Sequence, residues 1–198
     1  MLVDQFISSI IQLVAFSLIP FIWWCVTARA KESFLRWLGF VKPQTDHPKA
    51  LVWLVSAGFI ATVLLGGLQW WLTRDVTTAY ARFEGLGMAG IPGVMLMAGI
   101  QTSLSEEILF RGFLLKRLMS KLGFPAAAVI QAILFGFIHL AFAWGQVGIP
   151  EGIAVVVYPM IPALIIAYIN EKKAGGSILP GWIIHGTANA FYGLVQLF

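Results

Sequence analysis

The sequence predicts an all-α integral membrane protein, a bundle of about six transmembrane helices, and three observations predict it. Of 198 residues, 59% are hydrophobic and only 11% charged, against about 25% charged in an average soluble domain. The apolar residues fall into six segments, at about 4–27, 50–72, 90–115, 123–142, 151–170 and 178–197, each near the ~20 residues a helix needs to cross the hydrocarbon core. Several ionisable and polar groups lie inside those segments. Such groups are costly at membrane depth and mark a functional site by default, so the bundle is expected to enclose an intramembrane polar active site. With no polar or Pro/Gly/Ser-rich linker to divide it, the chain reads as one membrane-embedded domain over 1–198.

No Lys or Arg precedes the first segment, and no small-residue cleavage site follows it. It is therefore expected to remain as an anchor rather than to be removed as a signal peptide. The lone Cys25 excludes an internal disulfide and a thiolate metal cage, and its apolar surroundings predict a packed thiol. Residues 31–41 place Phe34, Leu35, Trp37, Leu38 and Val41 among charges, a pattern that fits a short interfacial amphipathic helix or an ordinary juxtamembrane connector. In the second segment Gly58, Gly66 and Gly67 permit close helix packing.

Basic residues between the segments set the orientation. Arg29, Lys31, Arg36, Lys42 and Lys49 lie in the first connection, Arg74 and Arg82 in the second, Lys116, Arg117 and Lys121 in the third, and Lys172 and Lys173 in the fifth. Placing alternate connections in the cytoplasm puts ten of the 13 basic residues inside, which predicts both termini outside. The net charge of +4 is accounted for by the anionic lipid bilayer, so no nucleic-acid partner is expected. No pair of broken helices suggests an inverted-repeat transporter.

The third segment carries Glu106, Glu107 and Arg111. Glu107 and Arg111, four apart, share a helical face and can form an ion pair. Glu106 projects about 100° away, free to act as a general base. The alternative is a structural ion cluster that pins helix register. His139 in the fourth segment and Glu106 in the third are almost equally distant from the turn at 122–125, at about 1.5 Å per residue roughly 24 Å from it, so the two can face each other, with Phe135 packed one turn below the imidazole. In the last segment His185 and Asn189 project from one helical face, and Gly181, Gly186, Ala188 and Ala190 keep the surface beside them small. His47, in a polar loop, is left out of the site.

These three elements, Glu-Glu-x-x-x-Arg, Phe-x-x-x-His and His-x-x-x-Asn, together with the Arg-Gly-Phe-Leu that follows the acidic pair, resemble the motifs of the CPBP family. That family comprises intramembrane endopeptidases related to type II CAAX prenyl proteases and includes bacterial relatives linked to bacteriocin processing and immunity. The resemblance covers about 90–195, the motif-bearing core. It implies a protease of the bacterial inner (plasma) membrane that hydrolyses a peptide bond of a membrane-associated or exported protein.

Two mechanisms fit the residues. In the one the resemblance favours, Glu106 activates a water, Glu107 and Arg111 orient it, and His139, His185 and Asn189 bind water and stabilise the oxyanion, with no cofactor. In the other, Glu106, His139 and His185 hold Zn²⁺, although the His-Glu-x-x-His helix of a familiar zinc site is absent. The competing class is a non-enzymatic immunity factor or scaffold whose polar cluster only locks the bundle.

Overall fold

The computed structural model describes residues 1–73 and 76–198, and the regular structure in them is helical. Arg74, counted above among the external basic residues, lies outside the described residues. The helices are α1 (Leu2–Thr27), α2 (Phe34–Leu38), α3 (Pro48–Leu72), α4 (Gly87–Leu122), α5 (Phe124–Phe142), α6 (Ile149–Lys173) and α7 (Leu179–Val195). All but α2 and α7 are long and apolar enough to cross a membrane. The protein is an integral membrane protein.

The sixth expected span differs from the others. α7 has 17 residues, about 25 Å at 1.5 Å per residue, because Gly175 and Gly176 turn the chain at positive φ and the helix restarts only with Pro180 in its first turn. It packs on α3, α4 and α6, so protein covers much of it. The outer helices are α1 and α3, of whose apolar windows 11% and 6% are buried, against 33%, 33% and 39% for α4, α5 and α6. Apolar side chains such as Ile11, Val14, Trp53 and Leu64 face outward, as contact with lipid requires.

Small residues set the packing. A Cβ at Gly136 of α5 would overlap the Val156 carbonyl of α6, and these two helices form the most extensive pair. At Gly58 and Gly66 of α3 a Cβ would press on Ile184 and Tyr192 of α7, the close approach anticipated for that segment. α1 is held to α4 by amides rather than by apolar contact alone: Gln5 donates to Gln101 at 2.5 Å, Gln101 donates to Gln12 at 3.2 Å, and Arg82 donates to Gln5 at 3.0 Å.

The 31–41 stretch contains only the five-residue α2. Trp37 and Leu38 are buried against Ile108 and Ile178, so α2 packs one face onto the bundle while Leu35 stays exposed. It ends at Gly39, whose φ of +85° and closeness to the Gly176 carbonyl leave no room for a side chain.

Candidate active site

α4 is continuous but not uniformly α-helical. Met97–Leu104 and Glu107–Leu115 are π-helical, a widening that is rare and concentrated at functional sites. Two hydroxyls take up carbonyls in the widened turns, Thr102 donating to Met97 at 3.0 Å and Ser105 to Ile100 at 3.1 Å, each five residues back. The acidic pair sits at the junction of the two π segments.

The two glutamates have different environments. Glu107 is fully buried; its Oε1 lies 3.2 Å from Arg111 Nη1 and accepts a 3.2 Å hydrogen bond from His185 Nδ1. Arg111 is equally buried, and its guanidinium lies 4.4 Å from the centroid of the Phe135 ring, a further stabilisation of a charge withdrawn from water. Glu106 keeps 11% of its side chain exposed, and its buried Oε2 has no hydrogen-bond partner; the nearest cation-capable atom is His185 Nε2 at 3.6 Å. The imidazole of His185 thus stands between both carboxylates.

Close packing brings His185 there. Gly181, one turn before it, is fully surrounded: a Cβ would lie 2.5 Å from Ile166, 2.6 Å from Asn170 Nδ2 and 2.8 Å from Glu107 Oε2. Asn170 in α6 accepts the Gly181 N–H at 2.9 Å, which ties the start of α7 to α6. Sequence reasoning passed over Asn170, since it stands alone near the polar end of its segment.

His139 is half-buried. Its Nδ1–H donates to the Phe135 carbonyl at 2.7 Å, so in the neutral ring Nε2 is the free acceptor. The Phe135 ring packs against it at 4.6 Å and against His185 at 6.0 Å, one aromatic separating two imidazoles. Glu106 and His139, expected to be able to face each other, make no hydrogen bond among the described residues; the ionisable group beside Glu106 is His185. Asn189 donates to Thr102 at 3.0 Å and to Ser103 at 3.2 Å, which commits both amide protons and leaves its carbonyl oxygen available.

A cavity of about 250 Å³ is bounded by Arg111, Phe135, His139, His185 and Asn189 on one side and by α3 and α6 on the other. Pro159 and Pro162, inside α6, line it. Four of the six residues singled out in the sequence therefore line one cavity, and the other two, Glu106 and Glu107, both touch His185 at its wall. Among the described residues no group of three His, Cys, Asp or Glu side chains is arranged to hold a metal ion.

Tyr80, from the connection before α4, also lines the cavity. No periodicity or motif marks it in the sequence. Its hydroxyl is buried, with Thr102 beside it.

Comparison with known proteins bears on the same elements. Residues 88–191, which carry all three motifs, match the family described as type II CAAX prenyl endopeptidase Rce1-like. The chain is 25% identical over 165 residues to the UPF0177 protein YxdF of Lactococcus lactis subsp. lactis, covering 79% of this chain and 84% of that one. No solved structure matches.

Proposed function

From the premise that this chain belongs to the Rce1-like type II CAAX prenyl endopeptidase family, and so to a family of membrane proteases, we propose that it hydrolyses a peptide bond of a membrane-associated or exported protein with Glu106 as the base. The observation that carries this reading is the contrast between the glutamates. Glu107 is sealed at 0% exposure with Arg111 and His185 on its Oε1, whereas Glu106 keeps 11% and has only His185 Nε2 beside it at 3.6 Å; the Oε2 of each makes no hydrogen bond. A sealed carboxylate paired with an arginine holds geometry; one that water can reach can take a proton.

In the proposed reaction Glu106 removes a proton from water as its oxygen attacks the scissile carbonyl carbon. The carbonyl electron pair moves to oxygen, the C–N bond breaks, and the proton is delivered to the leaving amine. Glu107 and Arg111 fix the orientation of His185, whose Nε2 faces Glu106 and offers the proton a second resting place. His139 Nε2 can accept from the water, and the free Asn189 oxygen can accept from the substrate backbone. No step requires a metal, and EDTA or phenanthroline should leave cleavage unchanged. Loop charge supports external termini and a substrate met near the outer leaflet.

The test compares wild type with Glu106→Gln in the native host by quantitative terminal proteomics, alongside folded yield. Specific cleaved ends that vanish while folded protein persists support the base role and identify the substrate. Unchanged ends with a fall in yield favour the scaffold or immunity-factor reading, in which the cluster only locks the bundle.

A further inference from the structure

The oxyanion assignment above leaves a gap. A carbonyl oxygen that gains charge during attack needs hydrogen-bond donors aimed at it, yet Asn189 has spent both amide protons on Thr102 and Ser103 and neutral His139 presents an acceptor. Four other hydroxyls on the cavity wall are committed: Thr62 donates to the Gly58 carbonyl, Thr73 to the Gln69 carbonyl, Thr78 to Gln196, and Tyr192 to the Val63 carbonyl; another, Tyr158, is only half-buried. Tyr80 differs from these, because its hydroxyl is buried at the cavity with only Thr102, already engaged with the Met97 carbonyl and Asn189, beside it. A buried O–H whose neighbour is already engaged calls for an explanation.

Its position is built rather than incidental. His185, Asn189 and Gly193 follow one another at four-residue steps along α7 and so lie on one face. The Tyr80 ring rests on the third of these, with Cδ1 and Cε1 2.8 Å from where a Gly193 Cβ would stand. The ring therefore extends the His-x-x-x-Asn stripe by one turn. Phe83 backs it at 6.5 Å, and the connection is pinned to the end of α7 by Thr78 donating to Gln196 at 2.8 Å and by Gly87 N–H donating to the Leu197 carbonyl at 3.1 Å.

We propose that Tyr80 is a further catalytic residue of this site, its phenolic O–H donating a hydrogen bond to the scissile carbonyl oxygen as that oxygen becomes negative. The inference rests on the proteolytic reading and extends it to a residue that precedes the matched segment 88–191. Tyr80 exchanges no proton in the reaction: water supplies the new C–O bond, the carbonyl pair moves to oxygen under the phenol, and the C–N bond then breaks. Burial holds the phenol above its ordinary value, opposed in part by hydrogen bonding with Thr102 and reinforced by the negative charge of Glu106, so it stays protonated across the neutral range.

The experiment measures the cleavage rate at Glu106-dependent sites for wild type, Tyr80→Phe and Glu106→Gln, each divided by folded protein recovered, first in pulse-labelled native host and then on a peptide spanning the strongest site. Tyr80→Phe should lower kcat about 10²-fold or more, the typical effect of one oxyanion donor, with KM changed little. A Tyr80→Phe rate within threefold of wild type, beside an inactive Glu106→Gln, overturns the Tyr80 role and leaves the protease reading standing. If Glu106→Gln still cleaves, or no Glu106-dependent ends exist, the protease mechanism falls and Tyr80 with it. Failure of Tyr80→Phe to fold also overturns the proposal, since it would make the hydroxyl's contact with Thr102 structural.

Discussion

His185 Nδ1 lies 3.2 Å from Glu107 Oε1, the same oxygen that approaches Arg111 Nη1 at 3.2 Å. One buried carboxylate oxygen therefore joins α4 to α7, and the local ion pair expected from i,i+4 spacing becomes part of a tertiary contact. Its energetics are those of a charge pair withdrawn from solvent, which is costly to break from one side.

Removing one partner of the pair should accordingly be worse than removing both. Arg111→Met or Glu107→Gln alone is expected to destabilise the fold by roughly 3–5 kcal/mol, whereas the double variant recovers a substantial part of that loss. Unfolding in detergent, analysed as a double-mutant cycle, measures the coupling; additive losses would contradict a direct pair.

Gly181→Ala tests the packing behind the site. The added methyl meets Ile166, Asn170 and Glu107 within 2.8 Å, so it must displace at least one of them, at about 1–3 kcal/mol for overpacking. Thermal stability should fall, and activity per folded molecule should fall with it because Glu107 moves. Gly186→Ala is the control, since its nearest neighbour lies at 3.8 Å; it should be nearly neutral.

Alkaline titration probes Tyr80 without any substrate. Burial raises its folded value above the ordinary 10.0, so folding favours the protonated phenol. That contribution to stability is complete below about pH 10 and is lost as pH rises through the folded value. Above pH 10 wild type should lose stability more steeply than Tyr80→Phe; equal slopes would mean the phenol is not buried in the folded protein.

Orientation is tested by placing a tag after Phe198 in intact cells. External termini predict that an impermeant reagent or added protease reaches it. Protection of the tag would reverse the topology and remove the argument for a substrate near the outer leaflet.

Much of this protein could be read from the chain because its two strongest signals are local. Apolar length marks a span whatever its neighbours, and polar residues inside a span stand out for the same reason, so Glu106, Glu107, Arg111, His139, His185 and Asn189 were identifiable without coordinates. Spacing also foretold the Glu107–Arg111 pair and the shared face of His185 and Asn189. Tertiary structure decided what periodicity cannot encode. The π turns in α4, whose carbonyls Thr102 and Ser105 bond, and the placing of Glu106 beside His185 are tertiary outcomes of this kind. The short α7 is tolerated because other helices enclose it. Asn170 and Tyr80 acquire meaning only from contacts across the fold: each is a single polar residue in its own segment, with no repeat or motif to mark it, and only packing against Gly181 and Gly193 brings them beside the site.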